Sequence, residues 1–248
     1  MDGLKGKSAL VTGGSRGIGK AILFALAAKG ADVAFSYRSS VAEAEAIVAE
    51  LEQRGVRARA FRSDQADPAA AARLVDAVMD AFGRLDILVN NAGVANLGRL
   101  GEVHDYAPLD QVWAVNTMGV VATIRAAAHV MADNGRIITI GSVSGSKSSA
   151  PGAADYCGSK AAVAGYTRGA AHDLAPRGIT VNIIESGMMQ SEMALSMDPA
   201  DQARIKSGIP LARYGELSEI SGLVTFLVSE EAAYISGATL TIDGGFSA

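Results

Sequence analysis

Short apolar runs alternate with longer amphipathic ones along the whole chain. Ser8–Thr12, Val33–Tyr37, Val56–Arg62, Ile87–Asn90, Arg136–Ser142, Thr180–Ile184 and Thr239–Asp243 read as strands. Most are apolar on both faces, the pattern of a parallel sheet covered by helices. The segments between them carry a helical period. Val41, Ala44, Ile47, Val48 and Leu51 share one face of Val41–Arg54. Leu74, Val75, Val78 and Phe82 do the same in the helix after Asp67-Pro68, where Asp67 can cap and Pro68 can fill the first position. Helices are also predicted over Gly17–Lys29, Leu109–Met131, Asp155–Ala175 and Ser218–Leu227, whereas Met188–Ser207 is less regular. The alternation predicts an α/β fold, a doubly wound parallel sheet of about seven strands flanked by helices on both faces. No linker, repeat or low-complexity stretch interrupts 1–248, which reads as one domain with a substrate loop or lid at about 186–210.

Composition narrows the function classes. With 248 residues, about half of them apolar, the chain can bury a core without covalent staples. A net charge of −4 and no basic block exclude duplex nucleic acid as a partner. The single Cys157 rules out an internal disulfide and fits a reducing compartment. No run of apolar residues is long enough to predict a membrane span, and Met1–Lys7 lacks a signal-peptide layout, so a cytoplasmic location is the default expectation. His104, His129 and His172 lack metal-ligand spacing, and no metal is expected.

Two stretches carry candidate chemistry. Thr12-Gly13-Gly14-Ser15-Arg16-Gly17-Ile18-Gly19 follows the first strand and opens the first helix. Its glycines allow a tight turn, and the helix start offers free N–H groups to an anion. The spacing is Thr-Gly-x-x-x-Gly-x-Gly, not the commoner G-x-G-x-x-G. The second strand ends in Phe35-Ser36-Tyr37-Arg38-Ser39-Ser40, without the carboxylate that would take a ribose 2′-hydroxyl. Arg16 and Arg38 suit a 2′-phosphate, which predicts NADP(H) over NAD(H), against the plainer reading of two surface arginines. The second stretch is Tyr156-Cys-Gly-Ser-Lys160. Tyrosine and lysine four apart share a helix face, where an ammonium favours the ionised phenol and makes a proton donor usable near neutral pH.

Asn90-Asn91-Ala92-Gly93 closes the fourth strand, and Ser142 stands fourteen residues before Tyr156. With these motifs in this order, the chain from Lys7 to Gly245 resembles the short-chain dehydrogenase/reductase family in its compact form. The resemblance implies a Rossmann-type fold, NADP(H) and a small-molecule carbonyl or alcohol substrate. Tyr156 would be the acid/base, Lys160 would lower its pKa and bind the nicotinamide ribose, and Ser142 would hydrogen-bond the substrate carbonyl. Asn116 would hold a proton-relay water. Gly13, Ser15, Arg16, Gly17, Ile18 and Gly19 would meet the phosphates, and Tyr37, Arg38 and Ser39 the adenosine side. Asp64 and Gln65 would flank the adenine, while Asn90, Ala92 and Gly93 would shape the site. Gly187, Met189 and Ser191 would serve the nicotinamide, and Asn96, Ser144, Met188 and Met193 would border the substrate. A homotetramer or homodimer is also implied, built on helices rich in small residues such as Ala126–Ala128 and Ala161, Ala162, Ala164 and Gly165.

The chain departs from the family pattern after the sixth strand. Glu185-Ser186-Gly187 has serine where proline is usual, which frees φ and restores an N–H donor, and Ser191 stands where threonine is usual. Glu185 can face solvent, hydrogen-bond the loop or meet a polar substrate. Met189, Met193 and Met197 recur every four residues, either as one flexible stripe on a lid helix or as packing of the lid onto the body. Met131-Ala-Asp-Asn134 lacks basic residues and only Arg177 is suggestive nearby, so a free ketone or aldehyde is favoured over a thioester on an acidic carrier protein. Three further readings stand beside it: a 3-oxoacyl-[acyl-carrier-protein] reductase, alcohol oxidation by the same residues, and a non-catalytic dinucleotide-binding sensor or scaffold.

Overall fold

The computed structural model describes residues 3–147 and 150–248, with the Met193 side chain also outside the described residues. In chain order it has β1 Ser8–Val11, α1 Gly17–Ala28, β2 Asp32–Tyr37, α2 Val41–Gln53, β3 Ala58–Arg62, α3 Pro68–Phe82 and β4 Ile87–Asn90. Next come α4 Ala107–Trp113, α5 Val120–Val130, β5 Arg136–Ile140, α6 Ala154–Leu174 and β6 Thr180–Ser186. Last are α7 Glu192–Leu195, α8 Pro199–Ser207, α9 Leu217–Leu227 and β7 Thr239–Ile242. The strands form one sheet in the order β3-β2-β1-β4-β5-β6-β7, and every pairing is parallel.

Strand alternation divides the core between the two faces. In β6, Val181 and Ile183 join the layer with Val120, Ile124, Val163 and Leu174, whereas Ile184 joins Ile22, Leu26, Ile220 and Val224 on the other side. Both faces are therefore dry, as the doubly apolar strand runs predict. The strand order reverses between β1 and β4, and a crevice at the carboxyl ends of these strands is where open α/β sheets bind ligands. No helix among the described residues is long and apolar enough to cross a membrane.

Local chemistry sets the element ends. Asp67 caps α3 by accepting from Ala69 N at 2.9 Å, Pro68 starts the helix, and Gly83 ends it in the left-handed region at φ 74°. Three predicted elements differ from the observed ones. Leu109–Met131 is not one regular helix: α4 and α5 are joined by a π-helical turn over Ala114–Gly119, which contains Asn116. A side chain at Gly119 would strike the Gln65 carbonyl, so the turn is pressed against the loop before α3. β6 runs on through Ser186, which pairs with Ile242, and Gly187 N continues the pairing onto Ile242 O at 2.9 Å. The serine that replaces proline thus lies within the sheet instead of ending it.

The third difference is the lid, which is two short helices. Ser191 caps α7, accepting from Ala194 N at 3.3 Å, and Asp198 caps α8, accepting from Ala200 N at 2.8 Å. Met189 precedes α7 and Met197 falls between the helices, so the methionines make no single stripe. Met189 is buried in the core and Met188 packs with Ala194, Ile209, Tyr214 and Phe246. For these two residues, the reading that they pack the lid onto the body is the one observed.

Candidate active site

The glycine turn is pinned to the end of β4. Thr12 Oγ1 accepts from both Asn91 N and Ala92 N at 3.0 Å, and Asn91 Nδ2 donates to Thr12 O at 2.9 Å and Gly13 O at 3.0 Å. Gly13 N donates to Ser36 Oγ at 3.0 Å. Gly13 has φ +66°, and a Cβ there would lie 3.0 Å from Ala92 Cα; a Cβ at Gly19 would strike Gly13 O. Glycine is required at both positions. Arg16 precedes α1 in an extended conformation, and no side chain caps the first-turn amides, which are left open to an anion. Asn91 and Ser36 hold this turn although the motif reading passed over them. Ser36 is nevertheless visible as the polar residue in an otherwise apolar strand, and Asn91 as a second asparagine beside the expected one.

The adenosine end is open. Arg16, Arg38 and Ser39 are exposed, and neither guanidinium is paired with a carboxylate among the described residues. A cavity of about 350 Å³ beside the turn is lined by Ser15, Arg16, Lys20 and Ser40, together with carboxylates that include Glu43 and Glu192 of the lid. Ile18 and Tyr37 pack partly against the core. Asp64 is exposed and folds back to accept from Ala66 N at 3.0 Å; Gln65 Nε2 lies 3.5 Å from Thr123 Oγ1.

The chemical end draws four predicted residues together. Lys160 is 7% exposed, and its Nζ donates to Ile140 O at 3.1 Å. A Cβ at Gly93 would lie 3.3 Å from Asn116 Oδ1 and 3.5 Å from Lys160 Nζ, so glycine keeps this junction open. Ser142 lies at the end of β5, its side chain buried and hydrogen-bonded to the Tyr156 phenol. Ser142 also opens a short 3-10 turn, Val143–Gly145, accepting from Ser144 N at 3.2 Å. Gly145 presses this turn onto α6, since a Cβ there would be 2.9 Å from Lys160 C.

One detail differs from the expectation. Burial pushes the Tyr156 phenol above its usual range, against the opposing pull of the Ser142 hydrogen bond and with a further push from Cys157. Lys160 is not among the causes, because its ammonium is turned to the Ile140 carbonyl and lies 5.9 Å from the Tyr156 ring centroid. Burial instead lowers Lys160 itself, to about 8. The Asn116 amide is spent on protein groups: Oδ1 accepts from Val94 N at 2.9 Å, and Nδ2 donates to Val94 O at 2.9 Å and Ser159 Oγ at 3.2 Å. Ser159 Oγ in turn donates to Tyr156 O at 2.8 Å. The Asn116 side chain therefore braces the catalytic helix.

The first turn of α6 has another brace that the motifs did not reveal. Trp113 Nε1 donates to Asp155 Oδ1 at 2.8 Å, and a Cβ at Gly158 would lie 2.9 Å from the Trp113 ring. Tyr156 is bracketed by these two contacts. On the substrate side, Asn96 Nδ2 is used on Pro108 O at 2.8 Å, and Ser144 is buried behind Ser142. Gly187 packs against Asp243, where a Cβ would approach to 2.7 Å. Glu185 does not face solvent: it is 5% exposed and its Oε2 accepts from Ser146 Oγ at 2.8 Å.

The residues fit a dinucleotide. Both polar side-chain atoms of Asn90, the last residue of β4, are buried without a hydrogen-bond partner among the described residues, and the first-turn amides of α1 beside that strand end are open. A family model described as enoyl-(acyl carrier protein) reductase matches residues 13–247. A protein of Staphylococcus aureus named 3-oxoacyl-[acyl-carrier-protein] reductase FabG is 40% identical over 241 residues, covering 96% of this chain and 97% of the relative. A short-chain dehydrogenase from Burkholderia cenocepacia, solved in complex with NADP, superposes with a TM-score of 0.93 at 45% identity, covering 99% of this chain and 100% of the other. The chain belongs to the short-chain dehydrogenase/reductase family. Another similar structure, a blue fluorescent protein from a metagenomic library in complex with NADPH, has a TM-score of 0.94 at 43% identity, again covering 99% and 100%. Membership makes the chain an oxidoreductase and accounts for the order in which Thr12–Gly19, Asn90–Gly93, Ser142, Tyr156 and Lys160 occur.

Proposed function

We propose that this protein reduces a ketone or aldehyde carbonyl to an alcohol with NADPH. The observation that carries the proposal is the hydrogen-bonded Ser142–Tyr156 pair beside the buried Lys160, at the crevice where the glycine turn meets β4. Arg16 and Arg38, unpaired by carboxylates among the described residues, and the NADP and NADPH bound in the similar structures support this cofactor. NADPH supplies the hydride. Ser142 and Tyr156 both direct a hydroxyl at the carbonyl oxygen, where negative charge gathers. Burial keeps Tyr156 protonated at neutral pH, so the phenol holds the proton that it must deliver. Lys160, still mostly an ammonium at neutral pH with its pKa near 8, is turned to the Ile140 carbonyl and would hold the nicotinamide ribose. Asn116 and Ser159 hold the backbone of Tyr156 in place. The same residues support the reverse oxidation, and this set of donors argues against a purely binding role.

Two substrate readings have their own observations. The 40% identity to a 3-oxoacyl-[acyl-carrier-protein] reductase supports a 3-oxoacyl thioester on its carrier. Against docking of an acidic carrier, the one suggestive cation is already committed. Arg177 Nε binds Asp133 Oδ1 at 2.9 Å, and its other nitrogens bind the Ala128 and Met131 carbonyls. We favour the free carbonyl compound, with the shared 3-oxo group as the common chemistry. The test compares NADPH consumption with the 3-oxobutanoyl group on carrier protein, on N-acetylcysteamine and as ethyl 3-oxobutanoate. Values of kcat/KM within about tenfold across the three support the free-substrate reading. A carrier preference beyond about a hundredfold assigns the carrier-bound thioester, and no consumption with any of them rejects catalysis. Exposed Met118, beside the helices rich in small residues, supports assembly as a homotetramer, checked by light scattering of the eluted protein.

A further inference from the structure

We propose that Glu185, acting through Ser146, is a positioning residue that aims the Ser142 hydroxyl. The proposal rests on the reading of Ser142 as a donor to the substrate carbonyl. Glu185 is the next-to-last residue of β6 and falls on the same strand face as Val181 and Ile183. It is 5% exposed and has no ammonium or guanidinium partner among the described residues. An acidic side chain buried without a cation depends on its hydrogen bonds, since its polar oxygens have lost their water. The Ser146 hydroxyl meets it at 2.8 Å. Ser146 closes the turn that Ser142 opens, with Gly145 N on Ser142 O at 2.9 Å and Ser146 N on Val143 O at 3.2 Å.

The turn is gripped from two sides. Gly145 is packed against α6 with no room for a side chain, and Glu185 holds Ser146 from β6. Neighbouring Lys147 makes no ion pair with Glu185; its Nζ donates to Phe246 O at 2.8 Å and lies over the Phe246 ring. Ser142 sits in extended conformation at the mouth of this turn, so a shift of Ser146 rotates the hydroxyl away from Tyr156. Nothing in the grip touches the glycine turn. Loss of the Glu185–Ser146 bond should therefore impair the chemical step and spare NADPH binding.

The experiment measures kcat, KM for ethyl 3-oxobutanoate, NADPH Kd and Tm for Glu185→Gln, Glu185→Leu, Ser146→Ala, the Glu185→Leu/Ser146→Ala double variant and Ser142→Ala. Glu185→Gln keeps an acceptor and should stay within about threefold of the parent kcat. Glu185→Leu and Ser146→Ala should each lower kcat by about tenfold at unchanged NADPH Kd, and the double variant should be no worse than the poorer single one. A parent-like kcat in Ser146→Ala, additive losses in the double variant, or an equal loss of NADPH affinity would overturn the positioning role. If Glu185→Leu does not fold, Ser146→Ala and Glu185→Gln decide the matter alone. A parent-like kcat in Ser142→Ala refutes the reading of Ser142 and the proposal with it. Loss of turnover in Ser142→Ala beside a normal Ser146→Ala refutes the proposal only.

Discussion

Replacing Lys160 by methionine should change stability in a pH-dependent way that can be worked out in advance. The lysine is buried, and burial lowers its pKa from 10.5 to about 8. For a base whose folded pKa is depressed, the unfolded chain binds more protons between these two values. The parent is therefore penalised below pH 8, gains stability as pH rises, and is free of the penalty above pH 10.5. Integrated over the two pKa values, the gain between pH 7 and pH 10 is about 2–3 kcal/mol. Lys160→Met has no such term, although it forfeits the bond to Ile140 O at every pH. The assay is urea unfolding of both proteins, without cofactor, at pH 7, 8, 9 and 10. The stability of the variant minus that of the parent should fall by about 2–3 kcal/mol across the series, and groups titrating elsewhere cancel in the difference. A difference independent of pH, or one that rises with pH, would refute the claim that a charged lysine is buried at a cost. The same substitution should abolish most turnover, so the lysine is retained for function against its effect on the fold.

The other predictions concern separate parts of the site. Arg38→Glu should lower the ratio of kcat/KM for NADPH over NADH by about 10- to 100-fold, the worth of a charged hydrogen bond to phosphate; an unchanged ratio removes Arg38 from the 2′-phosphate. Asn91→Ala deletes both side-chain bonds that clamp the glycine turn and should cost about 1–3 kcal/mol in urea unfolding, with weaker NADPH binding by titration. Trp113→Phe keeps a ring over Gly158 and loses the bond to Asp155, so stability should fall by about 1 kcal/mol in urea unfolding and kcat should drop more than NADPH affinity.

Much of this architecture was legible because burial on both faces leaves a plain mark: β1 and β4 each carry a single polar residue and the helices between the strands keep their period. The π-helical turn at Asn116 was not, since one extra residue in a turn barely disturbs the hydrophobic spacing of Leu109–Met131. The lid misled for the opposite reason. Methionines four apart share a face only on a continuous helix, and the caps at Ser191 and Asp198 followed by Pro199 break it. Adjacent asparagines posed a further ambiguity. Asn91 turns to the glycine turn while Asn90 is buried without a partner, and the sequence shows two equivalent amides. The Tyr156–Lys160 spacing correctly puts both on one helix, but the end of a long side chain goes where tertiary contacts draw it, here to the Ile140 carbonyl. The Glu185–Ser146 bond joins residues 39 apart, beyond any local pattern.

The central claim is that Tyr156 delivers the proton while bound NADPH is consumed. Single-turnover oxidation of NADPH by Tyr156→Phe, followed at saturating ethyl 3-oxobutanoate, tests it most directly. The account predicts a rate lower by about 10²- to 10⁴-fold with NADPH Kd unchanged, because only the hydroxyl is removed. A rate within a few-fold of the parent would contradict it.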